Sequence, residues 1–232
     1  MEQMNFYQNW AETIRNDLDD SGYIKDFLNC ENDTVDCLLN GEKDEVVFAI
    51  QVLLSVPMER FIFAIDHDYD FASKDVFQYS KLEDATVTLC NLLEYEYPTL
   101  NFMDAGSKLA HAQNEYACIK YGENHIKLAN ALSLVKIEKF SGRKMCEASI
   151  TSLGSISTAM SSRDRDELIN RLAIRNSFVK ALIFYAKNGN VEYKTLVSKV
   201  LSGQTIIRRK HNVEIIVTRI LENHPICKNI RW

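Results

Sequence analysis

Apolar positions in the first 55 residues recur mostly every three or four residues, the spacing of a helix with one buried face. Phe6, Trp10, Ile14 and Leu18, then Ile24, Phe27 and Leu28, follow it, with a turn-like break at Asp20-Ser21-Gly22. Further helical stretches fall at about 33–39 and about 44–55, before Pro57. Phe61-Ile62-Phe63-Ala64-Ile65 is short and apolar throughout, so periodicity leaves open a buried strand or a piece of helix.

From residue 82 the elements come in a more telling order. Leu82–Tyr95 reads as a helix closed by Pro98, which disfavours helix in the residue before it. Asn101-Phe102 is a short extended link, and 103–110 a second helix whose small Ala105-Gly106 suit close packing. A longer helical region, 114–134, is broken near Tyr121-Gly122-Glu123-Asn124. Leu134-Val135-Lys136-Ile137 then opens a hairpin that turns at Ser141-Gly142-Arg143-Lys144 and returns over 145–153. A second series follows: a charged amphipathic helix at 161–174, a helix at 176–187, a turn at Asn188-Gly189-Asn190 and a short helix at 193–201. Ser202-Gly203 then turns the chain into a long helix over about 204–222. The pattern predicts a mainly α protein with small β-hairpin wings. An acidic, mostly helical domain occupies 1–80, a first winged helix 81–154, a connector helix 155–175 and a second winged helix 176–232.

Charge sharpens this picture. Residues 1–100 hold 21 Asp+Glu against 6 Lys+Arg, and residues 101–232 hold 11 against 21, so the net −5 conceals an acidic front and a basic back. The basic part is the candidate for meeting a polyanion. The acidic part is left to a protein partner or to self-association. With 46% hydrophobic and 25% charged residues the composition is that of a globular domain, and no apolar run approaches the ~18 residues of a membrane span. The opening Met1-Glu2-Gln3-Met4 lacks the pattern of a signal peptide, so a soluble, cytoplasmic chain is expected. Six cysteines at 30, 37, 90, 118, 146 and 227 form no C-x-x-C pair and read as free, mostly buried thiols.

Asp66-His67-Asp68-Tyr69-Asp70 is the one cluster with metal-ligating residue types. Hydrolytic metal sites draw ligands from several elements, and this run is read as a solvated acidic loop. Neither G-x-x-x-x-G-K-[ST] nor G-x-S-x-G occurs. No catalytic residue, metal or cofactor is assigned.

The last long helix carries the chemistry. At 100° per residue, Ile206, Val213, Ile216, Val217 and Ile220 form one stripe. Thr205, Arg208, Asn212 and Arg219 gather to one side of it, with Arg209 and His211 flanking. Arg, Asn, Gln and Thr can read base edges, while Lys and Arg hold phosphates. The expected DNA contacts are therefore Gln204, Thr205, Arg208, Arg209, Lys210 and Asn212 in the second module. Lys120, Asn124, His125 and Lys127 serve the first module, and Arg143 and Lys144 its wing tip. A lone histidine on a helix is more often a packing residue than a reader.

Three stretches give these modules a likeness. They are Tyr121-Gly122-Glu123-Asn124-His125-Ile126-Lys127-Leu128-Ala129, then Ile150-Thr151-Ser152-Leu153-Gly154, and Ser202-Gly203-Gln204-Thr205-Ile206-Ile207-Arg208-Arg209-Lys210-His211-Asn212-Val213. In these the chain resembles the tandem winged helix-turn-helix DNA-binding proteins of prokaryotic restriction-modification loci and mobile elements. The resemblance spans about 85–232 and departs from that family in having aliphatic Ile215 to Val217 where an aromatic often sits. It implies sequence-specific binding of double-stranded DNA, in transcriptional control or in target recognition for a defence system. Two other readings stay open: a restriction endonuclease-type protein whose winged helices are its reader, and a protein-interaction adaptor.

Overall fold

A computed structural model describes residues 21–29, 40–79, 81–110, 114–139, 146–222 and 224–232. The molecule is mainly helical, with one three-stranded and one two-stranded sheet among these residues. Its helices are α1 (Ser21–Asn29), α2 (Lys43–Ser55), α3 (Met58–Ala64), α4 (Leu82–Tyr95), α5 (Phe102–Ala110), α6 (Glu115–Ala131), α7 (Ser152–Ala159), α8 (Ser162–Ala173), α9 (Ser177–Asn188), α10 (Tyr193–Val197) and α11 (Gly203–Leu221). The strands are β1 (Leu100–Asn101), β2 (Val135–Lys139), β3 (Cys146–Ile150), β4 (Val191–Glu192) and β5 (Ile230–Arg231). No single helix among the described residues is long and apolar enough to cross a membrane.

The chain divides into two compact units that are interleaved in sequence. Among the described residues, one comprises 21–29, Ile50–Leu82 and Glu167–Trp232; the other comprises 40–49 and Glu83–Asp166. This differs from the linear division at 80, 154 and 175. Residues 50–82 share a core with the carboxy-terminal helices instead of forming, with what precedes them, a domain of their own.

In the second unit α4 buries Ala85, Leu89, Cys90 and Leu93 on one face. Asn101 begins α5 by accepting from the Asp104 amide at 2.9 Å, and its Nδ2 donates to the Asp104 carboxylate at 2.7 Å. Asn114 caps α6 in the same way, accepting from the Ala117 amide at 2.8 Å. α6 runs unbroken through Gly122, where the sequence suggested an interruption. The glycine is there for contact: a Cβ on it would stand 1.9 Å from the Phe102 carbonyl oxygen, and one on Gly106 would stand 1.8 Å from that of Cys118. The backbones of α5 and α6 therefore touch at a crossing that only glycine permits.

The two strands of the expected hairpin pair antiparallel, with Val135 opposite Ile150 and Lys139 opposite Cys146, while its turn lies outside the described residues. β1 adds to it antiparallel, Leu100 opposite Ala148, giving the order β1-β3-β2. The return strand stops earlier than the expected 153, because Thr151 starts a helix. Its hydroxyl accepts from the Gly154 amide at 3.0 Å and donates to the Ser133 carbonyl at 2.8 Å. Two helices, α7 and α8, thus stand where a single connector was expected.

The first unit is built on aromatic contacts. Phe27 meets Phe61 edge-on at 5.7 Å, Phe71 meets Phe178 at 5.3 Å, and Tyr193 lies between Phe178 and Trp232. The ambiguous run at 61–65 is mostly helix, as part of α3, with Phe61 and Ile62 buried. No hairpin follows α11 among the described residues. A 3-10 turn at Pro225–Asn229 leads into β5, which pairs parallel to β4, Val191 beside Ile230. Where a second wing was expected, the described residues hold one short strand, which pairs back with the strand that precedes α10.

Candidate nucleic-acid interface

The short helix α10 leads, through a turn, into the long helix α11, and the two are in contact. α10 anchors itself through buried Tyr193, Leu196 and Val197 and leaves Lys194 exposed. Lys199 in the turn is exposed as well. α11 buries the expected stripe, Ile206, Val213, Ile216, Val217 and Ile220, and adds Leu221. Its exposed residues in the first half are Gln204, Ile207, Arg208, Lys210 and His211. No acidic side chain occurs on α11 before Glu214.

Two residues expected on this face are committed elsewhere. Arg209 is 9% exposed, and its Nη1 donates to the carbonyls of Ser73 at 2.6 Å and Val76 at 2.7 Å. Burial, and then the neighbouring Arg208 charge, lower its pKa from the ordinary 12.5. Arg209 is therefore a structural cation and cannot also read DNA from this position. Asn212 is half-buried and donates from Nδ2 to the Gln78 carbonyl at 2.6 Å. Thr205, half-buried, lies 3.1 Å from the Ser202 hydroxyl. Segment 73–78 thus covers one side of α11, and the open face is turned toward Ile207 and His211. Of the residues expected here, Gln204, Arg208 and Lys210 remain exposed. Ile207, Lys194 and Lys199 are exposed beside them and were not singled out from the sequence, although the same helical wheel places Ile207 about 120° from the centre of the apolar stripe.

Other cations of the basic half are also absorbed by the fold. Lys187 donates to the carbonyls of Ile62, Phe63 and Ile65, closing the end of α3. Buried Lys180 donates to the Leu28 carbonyl at 2.8 Å and stands 4.0 Å from the Tyr69 ring. Buried Arg171 and Arg175 lie over Phe61 and Phe27. Part of the charge split seen in the sequence is therefore internal bonding between early carbonyls or rings and late cations.

In the second unit the first set of expected readers lies on α6. Lys120 and Lys127 are exposed, and both reach Glu123, at 2.7 Å and 2.6 Å. Those two bonds lower the Glu123 pKa. Asn124 is half-buried. His125 is 5% exposed; its Nδ1 is 2.9 Å from the Tyr121 carbonyl, its ring lies on Tyr121, and burial lowers its pKa. It packs inside and is withdrawn from the candidate contacts. Arg143 and Lys144 lie outside the described residues.

The acidic run at 66–70 is tied to the fold at several points. Asp66 binds Lys25 and His67, which hold its pKa at about 2, and Asp68 accepts from the Tyr185 hydroxyl. No group of three or more His, Cys, Asp or Glu among the described residues is placed to hold a metal ion. Cys90 and Cys118 are buried and Cys146 and Cys227 half-buried, all as free thiols; burial pushes Cys90 up to about 12. No family model, no curated protein and no solved structure matches the chain.

Proposed function

We propose that the protein binds double-stranded DNA sequence-specifically through the open face of α11, as a regulator or target-recognition component of a prokaryotic defence or mobile-element system. The observation that carries this reading is the pairing of a short anchored helix with a long one whose exposed first half holds Gln204, Arg208, Lys210 and His211 and no acid. Amide and guanidinium groups in that position suit base edges in a major groove, and the ammonium groups of Lys194, Lys199 and Lys210 suit phosphates. The order helix, strand, helix, helix, hairpin in the second unit, with β1 added to the hairpin, supports a winged helix over 81–154. In that reading α6 is its recognition helix and Lys120 and Lys127 its contacts.

The test is selection from random duplex DNA at two salt concentrations, with Arg208→Ala/Lys210→Ala alongside. An enriched motif is expected, lost by the double variant, with the salt slope reduced by about 0.9 for each phosphate contact removed. Failure to retain duplex DNA at low salt would overturn the proposal. Both substitutions are at exposed positions, so an unchanged thermal melt separates lost contacts from lost folding.

A further inference from the structure

Ile207 is 77% exposed, which sets it apart from the other isoleucines and the valines of α11. Single exposed apolar residues are ordinary, so exposure alone says little. Position says more. Taken at 100° per residue, Ile207 lies about 80° to 140° round from Ile206, Val213, Val217 and Ile220, close to the midline of the exposed arc that runs from Lys210 to Arg208. Gln204 lies one turn before it, His211 one turn after, with Arg208 and Lys210 on its two sides. A branched aliphatic group is thus the centre of a face otherwise composed of cations and hydrogen-bonding groups. The one apolar feature that a DNA major groove offers to such a group is the 5-methyl of thymine.

We infer that Ile207 is a specificity-determining residue that packs on a thymine methyl group in the major groove. This rests on the DNA-binding reading above. The positive surround brings the helix to the phosphates, and Ile207 then loses water only where a methyl group faces it. A cytosine at that step presents its amino group instead, and leaves the side chain against a polar edge.

The experiment takes the site selected above and replaces its thymines by deoxyuridine one at a time, with the full chain and with Ile207→Ala. At one thymine the wild type is expected to lose roughly fourfold in affinity, the value of one buried methyl group, and the variant to lose nothing further. Equal sensitivity of both proteins to every replacement would overturn the inference while leaving DNA binding intact. So would a selected site without thymine in its contacted steps. Absence of any duplex binding would instead overturn the proposed function, and this inference with it.

Discussion

Replacing Arg209 by alanine removes the guanidinium that holds the Ser73 and Val76 carbonyls, inside a unit where water does not readily take its place. The variant is expected to lose about 2–4 kcal/mol of stability, the range for breaking a buried charge-assisted network, read from the shift in urea midpoint. Arg208→Ala, one residue away and exposed, is expected to stay within about 0.5 kcal/mol of the parent while weakening DNA binding. His125 gives a second contrast at this scale. Its folded pKa lies below the ordinary 6.5 because burial disfavours the charged ring. The unfolded chain therefore takes up the proton first as pH falls. The associated stability is complete above 6.5 and is lost as pH drops from there toward the folded value. The stability difference between the parent and His125→Gln, measured at pH 7.5 and 5, is expected to shrink at the acid end. A difference that does not change with pH would refute this.

At the scale of elements, glycine shows how little a residue type says without its surroundings. Gly122 read as a break in the helix because glycine lowers helix propensity by about 1 kcal/mol relative to alanine. The approach of the Phe102 carbonyl at that position costs far more to disturb than propensity costs to carry. Gly122→Ala is expected to destabilise by more than about 2 kcal/mol, since a Cβ 1.9 Å from a backbone oxygen forces α5 and α6 apart. Gly203→Ala, with nothing within 4 Å of the added carbon, is expected to be neutral or to raise stability by up to about 1 kcal/mol. Thermal melts of the two variants decide between a conformational and a packing role. α11 makes the same point for charge. Its wheel placed the apolar stripe correctly, but segment 73–78 then claimed Arg209 and Asn212, and what is left for a partner is the arc centred near Ile207 and His211.

The first unit is held by pairings of high sequence separation, because it draws on segments from both halves of the chain. Lys180, Lys187 and Arg209 donate to carbonyls at 28, 62, 63, 65, 73 and 76. Residues 167–232 expressed alone lack those acceptors and the rings of Phe27, Phe61 and Phe71, and are expected to remain unfolded. Far-UV circular dichroism and amide dispersion would show it. A cooperatively melting fragment of 167–232 would mean that the last helices form a domain of their own.

Hydrophobic period determined most of the helices among the described residues and the two strands that pair after α6, since each depends on neighbours within a turn or two of the same segment. Leu82–Tyr95 and the buried stripe of α11 were legible for that reason. The candidate site was legible only in part: Gln204, Arg208 and Lys210 follow from the wheel, whereas Arg209 and His125 do not separate from true surface residues until their cover is known. A cation has the same local sequence signature whether it faces solvent or a distant carbonyl. Which one it faces is set by what packs over it, here segment 73–78 lying more than 130 residues earlier in the chain. The partition into two interleaved units, the burial of the late cations and the parallel β4–β5 pair were decided the same way, by contacts between segments that carry no mark of each other in the sequence.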